Sequence, residues 1–532
     1  MGRYYQCTMR DPLPMVLQAK DTAAQPQNGS RTAFRAGLLV YYATVMFSTA
    51  AMMFAIRQAD HLLSAEALGL LMIARRLSGT GSSLAQLGVS QTLIRYVGLY
   101  AKNPAAKRRY VVFAAAVWGL LTAIILPAAF LFQPMLASLC FPGASAGPTM
   151  VVWSVALMLS MVGILIAHST LLAEQRMVWA GVVTGMEVGG FFLGLLVVLG
   201  SRSTPLNLIA GQAVGATVLS AAVVAWYCQS PWRARGGDAP PWRDVRSDFI
   251  TYGLPRGVIS GLDMSVLIIG PWLLRADPKQ AGSLLIALTM LRVLNALLGP
   301  ITKLTSALTA RYVGSGDETS IERAVKMLFG MAFIASVLFT AGLVPWRDQL
   351  LRLWLAKPET IAGTSAHFSV LCWSVLPLSI FYALRGAIEM RWKTPYNLYT
   401  LLTAIAVHLV VYYACARTMA QPVAVRVAIT ACMWVMGILT VIWARDYLKP
   451  VAYWGLPQVA AVGTALYALS TWADQLGGIE GVSILAAAIA GGAAILVRYA
   501  PCPFMLEAWN WLRHGQPIAG TPVGDAAGPT SL

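Results

Sequence analysis

Apolar runs of about 20 residues recur along the whole chain, separated by short stretches where Arg and Lys gather. A helix rises about 1.5 Å per residue, so a run of that length crosses a hydrocarbon core of about 30 Å. Windows of this size fall near 36–56, 66–94, 110–132, 150–172, 178–200, 206–228, 249–274, 281–310, 326–345, 366–388, 396–416, 424–444, 451–472 and 481–498. They make about fourteen spans. Their length and the lack of strand-like alternation exclude a barrel. The pattern predicts an all-α polytopic membrane protein.

Composition agrees. Of 532 residues, 58% are hydrophobic and 11% charged, with a mean hydropathy of +0.65. A soluble domain carries about 25% charged residues, so lipid is the expected solvent. The formal charge of +17 would suggest nucleic acid in a soluble protein. In a membrane protein it reflects Lys and Arg in cytoplasmic loops, and no nucleic-acid partner is expected. The seven Cys are scattered, with no C-x-x-C and no His at ligand spacing, so no metal or other cofactor is expected. The first thirty or so residues contain Pro12, Pro14 and Pro26 without an apolar core, so the first span is read as an uncleaved anchor.

With the N-terminus inside, Lys and Arg divide about 25 to 9 in favour of the cytoplasmic segments. That bias places both termini in the cytoplasm of a bacterial inner membrane. The segment 229–248, rich in Arg, Pro, Gly and Asp, separates six spans from the rest. The expected organisation is a cytoplasmic segment 1–33, a first lobe 34–228, a linker 229–248, a second lobe 249–446, two further spans in 447–498 and a cytoplasmic tail 499–532. Within that tail, Phe504–Leu512 suits an interfacial helix.

The lobes are related. Arg95-Tyr96-Val97-Gly98 recurs as Arg311-Tyr312-Val313-Gly314, a shift of 216 (311 − 95), and the same shift carries Arg76 onto Arg292. Arg57-Gln58-Ala59-Asp60 and Arg275-Ala276-Asp277 sit at the outer ends of the first span of each lobe. Such parallel repeats suggest an axis along the membrane normal.

The run Leu87-Gly88-Val89-Ser90-Gln91-Thr92-Leu93-Ile94-Arg95-Tyr96-Val97, with Tyr252-Gly253-Leu254-Pro255 opening the second lobe, resembles the polysaccharide and O-antigen flippases. These belong to the multidrug/oligosaccharidyl-lipid/polysaccharide (MOP) exporter superfamily. The resemblance covers about 34–498. It implies six-plus-six lobes with two extra helices, a central cavity, alternating access, and polyprenyl-diphosphate-linked sugars as substrate. A glycan polymerase or export complex would be the partner.

Charges inside the spans are the candidate site. Arg75 and Arg76 lie about ten residues into the second span, or about 15 Å deep. Arg292 lies comparably deep in the eighth, with Lys303 further along, and Arg256 is near the cytoplasmic end of the seventh. A cation in hydrocarbon costs about 2.5–3.5 kcal/mol, so it faces a wet cavity or a partner. The polar residues Ser78, Thr80, Ser82, Ser83 and Gln86 suggest that the second span lines something wet. A diphosphate suits Arg, whose planar fork bonds phosphate bidentately. Arg76 and Arg292 are therefore read as a symmetric cavity pair helped by Arg75, Arg256 and Lys303. The alternative is snorkelling or a loop position.

Two acids lie well within spans. Asp263 follows Arg256 by two turns on one helical face and suits a coupling ion, or a plain ion pair with Arg256 or Arg292; the pair is the simpler expectation. Glu187 sits among Gly185, Gly189 and Gly190, a signature of close helix packing. His168 and His408 read as structural residues with their hydrogen bonds satisfied.

Three rivals remain. A membrane glycosyltransferase or polymerase needs catalytic groups in sizeable outward loops, yet 133–149 has no charge at all. A drug exporter of the same superfamily would favour an acidic interior for cations, whereas this one is net basic. A lipid II-type flippase shares the helix plan and the cationic cavity.

Overall fold

The computed structural model describes residues 28–100, 103–174, 176–199, 204–229, 239–291, 318–391, 395–448, 456–476 and 478–499. All regular elements among them are helical. The first half runs through α1 (Asn28–Leu62), α2 (Ala65–Ala85), α3 (Val89–Leu99), α4 (Pro104–Leu131), α5 (Gln133–Cys140), α6 (Gly147–Ala173), α7 (Met177–Thr184), α8 (Met186–Leu199) and α9 (Pro205–Gln229). A short α10 (Trp242–Asp248) passes through a π-type turn at Phe249–Gly253 into α11 (Leu254–Leu273). The second half continues with α12 (278–291 as described). Then follow α13 (Glu318–Leu343), α14 (Arg347–Trp354), α15 (Pro358–Leu371), α16 (Val375–Arg391), α17 (Tyr396–Cys415), α18 (Gln421–Leu448), α19 (Leu456–Leu476) and α20 (Gly478–Tyr499).

Among the described residues ten segments are long and apolar enough to cross a bilayer. The most apolar window of α4 is only 6% buried, with Leu120, Ile124 and Leu131 all more than half exposed. An apolar helix with its side chains outward needs lipid around it. Local chemistry sets where helices begin. The Ser64 hydroxyl accepts from the Ala67 N–H at the start of α2, and Asn103 accepts from Ala106 with Pro104 opening α4.

The core is continuous across both halves. Leu68, Leu71, Leu157, Phe191 and Ile209 join Leu284, Phe368, Phe381, Leu401 and Ile429 in one buried cluster. Gly190 and Gly194 bring α8 within backbone contact of α9, because a Cβ at Gly194 would strike the chain at Leu208 and Gln212. The helix pair α19–α20 attaches to α13–α14 through Trp346, whose indole N–H donates to the Ser470 carbonyl at 3.0 Å.

Three boundaries depart from expectation. The window 66–94 breaks at Leu87 and Gly88, which take φ 47° and 75°, so α2 and α3 are separate helices. The window 178–200 divides near Gly185 into α7 and α8. The linker 229–248 ends as helix α10, which runs on into α11. Val245 and Phe249 bury themselves among Val89, Leu93, Tyr110 and Ile166 of the first half, so this part of the linker is a packed element.

Candidate functional site

The two halves meet along α2–α3 and α11–α12. We call the end near Ser64 and Lys357 outer and the end near Arg95 and Arg256 inner, after the charge bias. Backbones touch at both ends of the seam. At the outer end a Cβ on Gly69 would collide with the Pro278 carbonyl, and one on Gly282 with Gly69. At the inner end a Cβ on Gly88 would collide with the Gly253 carbonyl, and one on Gly257 with the Leu87–Gly88 peptide. Gly88 also needs its positive φ to turn the chain.

A latch from α1 closes the outer end. Asp60 is fully buried. Its Oδ2 accepts from the backbone N–H groups of Ala356 and Lys357 at 2.7 and 2.9 Å, and its Oδ1 from the Thr360 hydroxyl at 2.8 Å. The carboxylate thus sits on the positive end of α15. Arg57, one turn earlier, donates to the carbonyls of Arg352 and Leu353 at the negative end of α14. The Trp354 indole donates to the Met53 carbonyl at 2.9 Å, and the Lys357 ammonium to the Leu63 carbonyl. A cleft of about 690 Å³ opens beside the latch, lined by Arg57, His61, Arg352, Pro358 and Ile361. The repeat counterpart behaves differently. Asp277 accepts from the Gln280 N–H at 3.1 Å and so caps its own α12, whereas in the first half Ser64 caps α2 and Asp60 reaches across.

The inner end is polar and aromatic. Gln91 Nε2 donates to Ser260 Oγ at 2.9 Å between α3 and α11. The Tyr110 hydroxyl donates to Asp248, and the Arg109 guanidinium donates to the Pro240 carbonyl at 2.5 Å, which ties the linker to α4. Burial and the Asp248 carboxylate hold the Tyr96 hydroxyl above its ordinary pKa. Arg95 lies 4.5 Å from the Tyr252 ring centroid and Arg256 lies 3.8 Å from it.

The buried charges are arranged as follows. Arg75 turns into the first half, its guanidinium 4.4 Å from the Phe191 ring with Nη2 2.9 Å from Met52 Sδ. Arg76 is half-buried. Asp263, 3% exposed, meets Arg385 Nη1 at 2.7 Å and the Tyr382 hydroxyl at 3.0 Å. Arg385 Nε also meets Glu389 at 3.2 Å, and Asn397 Nδ2 donates to Glu389 at 3.0 Å. Asp263 is therefore engaged by Arg385, and Arg256 stacks on Tyr252 instead. Arg292, Lys303, the second Arg-Tyr-Val-Gly copy and Phe504–Leu512 lie outside the described residues, as does the side chain of Glu187. The symmetric Arg76–Arg292 pair has no geometry here.

Two readings of polar residues change. Ser78 is buried and donates to the carbonyls of Ala74 and Ser154 at 2.9 and 2.8 Å, while Ser82 and Ser83 return to Gly79. These hydroxyls close on backbone within and between helices, so the polarity of α2 serves packing at these positions. The His408 ring is fully buried, and neither of its nitrogens has a hydrogen-bond partner among the described residues, so it is not a satisfied core histidine.

The contacts of Arg385, Asp60 and Arg57 are not foreseen from the sequence. Arg385 lies three residues from the end of the window 366–388, where a cation reads as a loop charge, and Arg57 and Asp60 read only as outer-end repeat markers. The separation of 122 residues between Asp263 and Arg385 leaves no local signal of their contact.

Two bundles of helices meeting along a seam, latched at one end and bridged by polar groups at the other, make a two-halved helical membrane fold. Comparison with known proteins finds the same fold. The MatE family model matches residues 273–414. The lipid II flippase MurJ, in an inward closed conformation, superposes with a TM-score of 0.67 at 11% identity, over 86% of this chain and 99% of that one. A MOP superfamily transporter from Pyrococcus furiosus, described for the reversed polarity of its binding pocket, gives 0.61 at 13% over 78% and 96%. A mutant of the Vibrio cholerae MATE transporter VcmN gives 0.59 at 13% over 79% and 98%. No curated protein matches the chain in sequence. At these identities the shared property is the fold.

Proposed function

We propose that this protein is a flippase that carries a polyprenyl-diphosphate-linked oligosaccharide across the bacterial inner membrane by alternating access between its two halves. The substrate would be a repeat unit of O-antigen, capsule or exopolysaccharide, passed to a glycan polymerase on the outer side, with both termini of the chain in the cytoplasm. Like the similar solved proteins it would act as a transporter, with no enzymatic step and no cofactor.

The sign of the buried charge carries this reading. Arg75 and Arg76 sit mid-span on α2 and Arg256 near the inner end of α11, while Asp263, the acid deep in α11, is already held by Arg385. Counted from the sequence, the spans carry Arg75, Arg76, Arg256, Arg292 and Lys303 against Asp263 and Glu187, and a net basic interior favours an anionic headgroup over an organic cation. The seam supports the motion: close glycine approaches between the halves lie at both of its described ends, and an opening on either side would separate one set.

A second reading, a lipid II-type flippase, has the overlay on MurJ in its favour. Both substrates are lipid diphosphates, so the decisive measurement is which lipid-linked sugar accumulates. In a deletion strain, repeat-unit lipids should build up in the cytoplasmic leaflet and return to normal on complementation. Normal surface glycan in that strain would rule out the repeat-unit reading, and accumulation of lipid II would select the second one.

A further inference from the structure

The inner seam brings two guanidiniums from opposite halves onto one ring. Arg95 of α3 lies 4.5 Å and Arg256 of α11 lies 3.8 Å from the Tyr252 centroid, so the two cations are separated by no more than the sum of those distances. Like charges this close repel one another, water screens the exposed Arg95 in part, and an anion would be drawn to the pair. Among the described residues no carboxylate makes an ion pair with either. Asp248, one turn before Tyr252, accepts from the Tyr110 hydroxyl instead. Elsewhere in the chain carboxylates do find cations, as Asp263 finds Arg385 and Glu174 finds Lys107.

The donors at the seam are also underused. Arg256 Nη1 makes one 3.3 Å bond to the Tyr252 carbonyl, and its Nε is buried with no partner among the described residues. A guanidinium offers five N–H donors, and a buried donor left unmade is costly. Gln91, one turn before Arg95, has its amide nitrogen on Ser260 and its oxygen unpartnered. Among the described residues no acid pairs with either guanidinium, and the site lies at the inner end and straddles the seam.

We propose that Arg95 and Arg256 form an inner docking site for the phosphate groups of the lipid-linked substrate, each half supplying one fork and Tyr252 holding the two in register. The inference rests on the flippase reading and adds to it the place where the headgroup first engages. Because the forks come from different halves, a diphosphate bound there bridges α3 and α11 before the deeper cations of α2 are reached.

The test uses the full chain in phosphatidylcholine nanodiscs, with decaprenyl diphosphate as probe and decaprenol as the uncharged control. Wild type should bind the diphosphate and not the alcohol. Arg95→Gln and Arg256→Gln should each weaken binding about tenfold, the scale of one lost charge-assisted contact. Lys279→Gln, at the outer surface, should bind as wild type does. Arg95→Lys and Arg256→Lys, which keep the charge but lose the fork, should fall between, and they serve if a Gln variant fails to fold. Wild-type affinity in every Gln and Lys variant would overturn the docking site while leaving the flippase reading standing. No diphosphate binding by wild type would overturn both. Loss of probe binding in phosphatidylglycerol nanodiscs would make the seam a general lipid-headgroup site and overturn its assignment to substrate.

Discussion

Asp263 in α11 and Arg385 in α16 join in a 2.7 Å ion pair inside the second half, and the Tyr382 hydroxyl donates to the remaining carboxylate oxygen. Neither charge is tolerable there alone, since removing one partner of a buried pair strands the other. Glu389 and Asn397 extend the network and tie α11, α16 and α17 together. The pair occupies the acid that would otherwise suit a coupling ion, so the simplest role for this network is to hold the second half as one body.

Arg385→Leu should therefore destabilise the protein by about 3–5 kcal/mol, the cost of a stranded buried carboxylate. The double variant Asp263→Leu/Arg385→Met should recover most of that loss. Thermal unfolding of purified protein in detergent reads both. An Arg385→Leu variant that melts with wild type would mean that the two groups are not coupled.

Asp60→Asn should loosen the outer latch, because the carboxylate that faces the start of α15 becomes a neutral amide with weaker acceptance. Each charge-assisted bond lost is worth about 1.5–3 kcal/mol, enough to change the balance of open and closed forms. Spin labels at the exposed His61 and Glu359 would report it. The distance distribution should lengthen in the Asp60→Asn background; an unaltered distribution would show that the latch does not govern closure.

Gly257→Ala places a methyl against the Leu87–Gly88 backbone, so the inner seam should part. A cysteine at Gln91 should then react several-fold faster with a membrane-impermeant maleimide in inside-out vesicles. Equal labelling rates with and without the alanine would mean that the close approach at Gly257 does not hold the seam.

Arg76→Ala should lower glycan export to about a tenth or less at matched protein levels, if its guanidinium contacts the diphosphate in transit. Arg75→Ala should act differently. Its contacts with Phe191 and Met52 lie within the first half, so its loss should lower the melting temperature and reduce export only in proportion to folded protein. Identical behaviour of the two variants would erase the distinction drawn between them.

Much of the fold is legible in the sequence alone. Span length follows from bilayer thickness and the helical rise, so windows such as 150–172 and 424–444 fall within α6 and α18. The cation-rich interior was legible too, because an Arg in the middle of an apolar run is conspicuous wherever it points.

Partners were a different matter. Composition and spacing placed Arg75 and Arg76 at the same depth, yet where each side chain points depends on its neighbours on other helices. Asp60 reads in sequence as one half of a repeated Arg-and-Asp marker. Only the packing of α1 against α14 and α15 makes it an acceptor for the opposite half, while its repeat mate caps a helix of its own. The break at Leu87–Gly88 likewise answers a backbone 165 residues away at Gly253 (253 − 88). Hydropathy is a local, one-dimensional quantity, and it determined where the chain crosses lipid. Pairing of buried charges and contact between halves depend on distances across the fold, and those the tertiary structure alone decided.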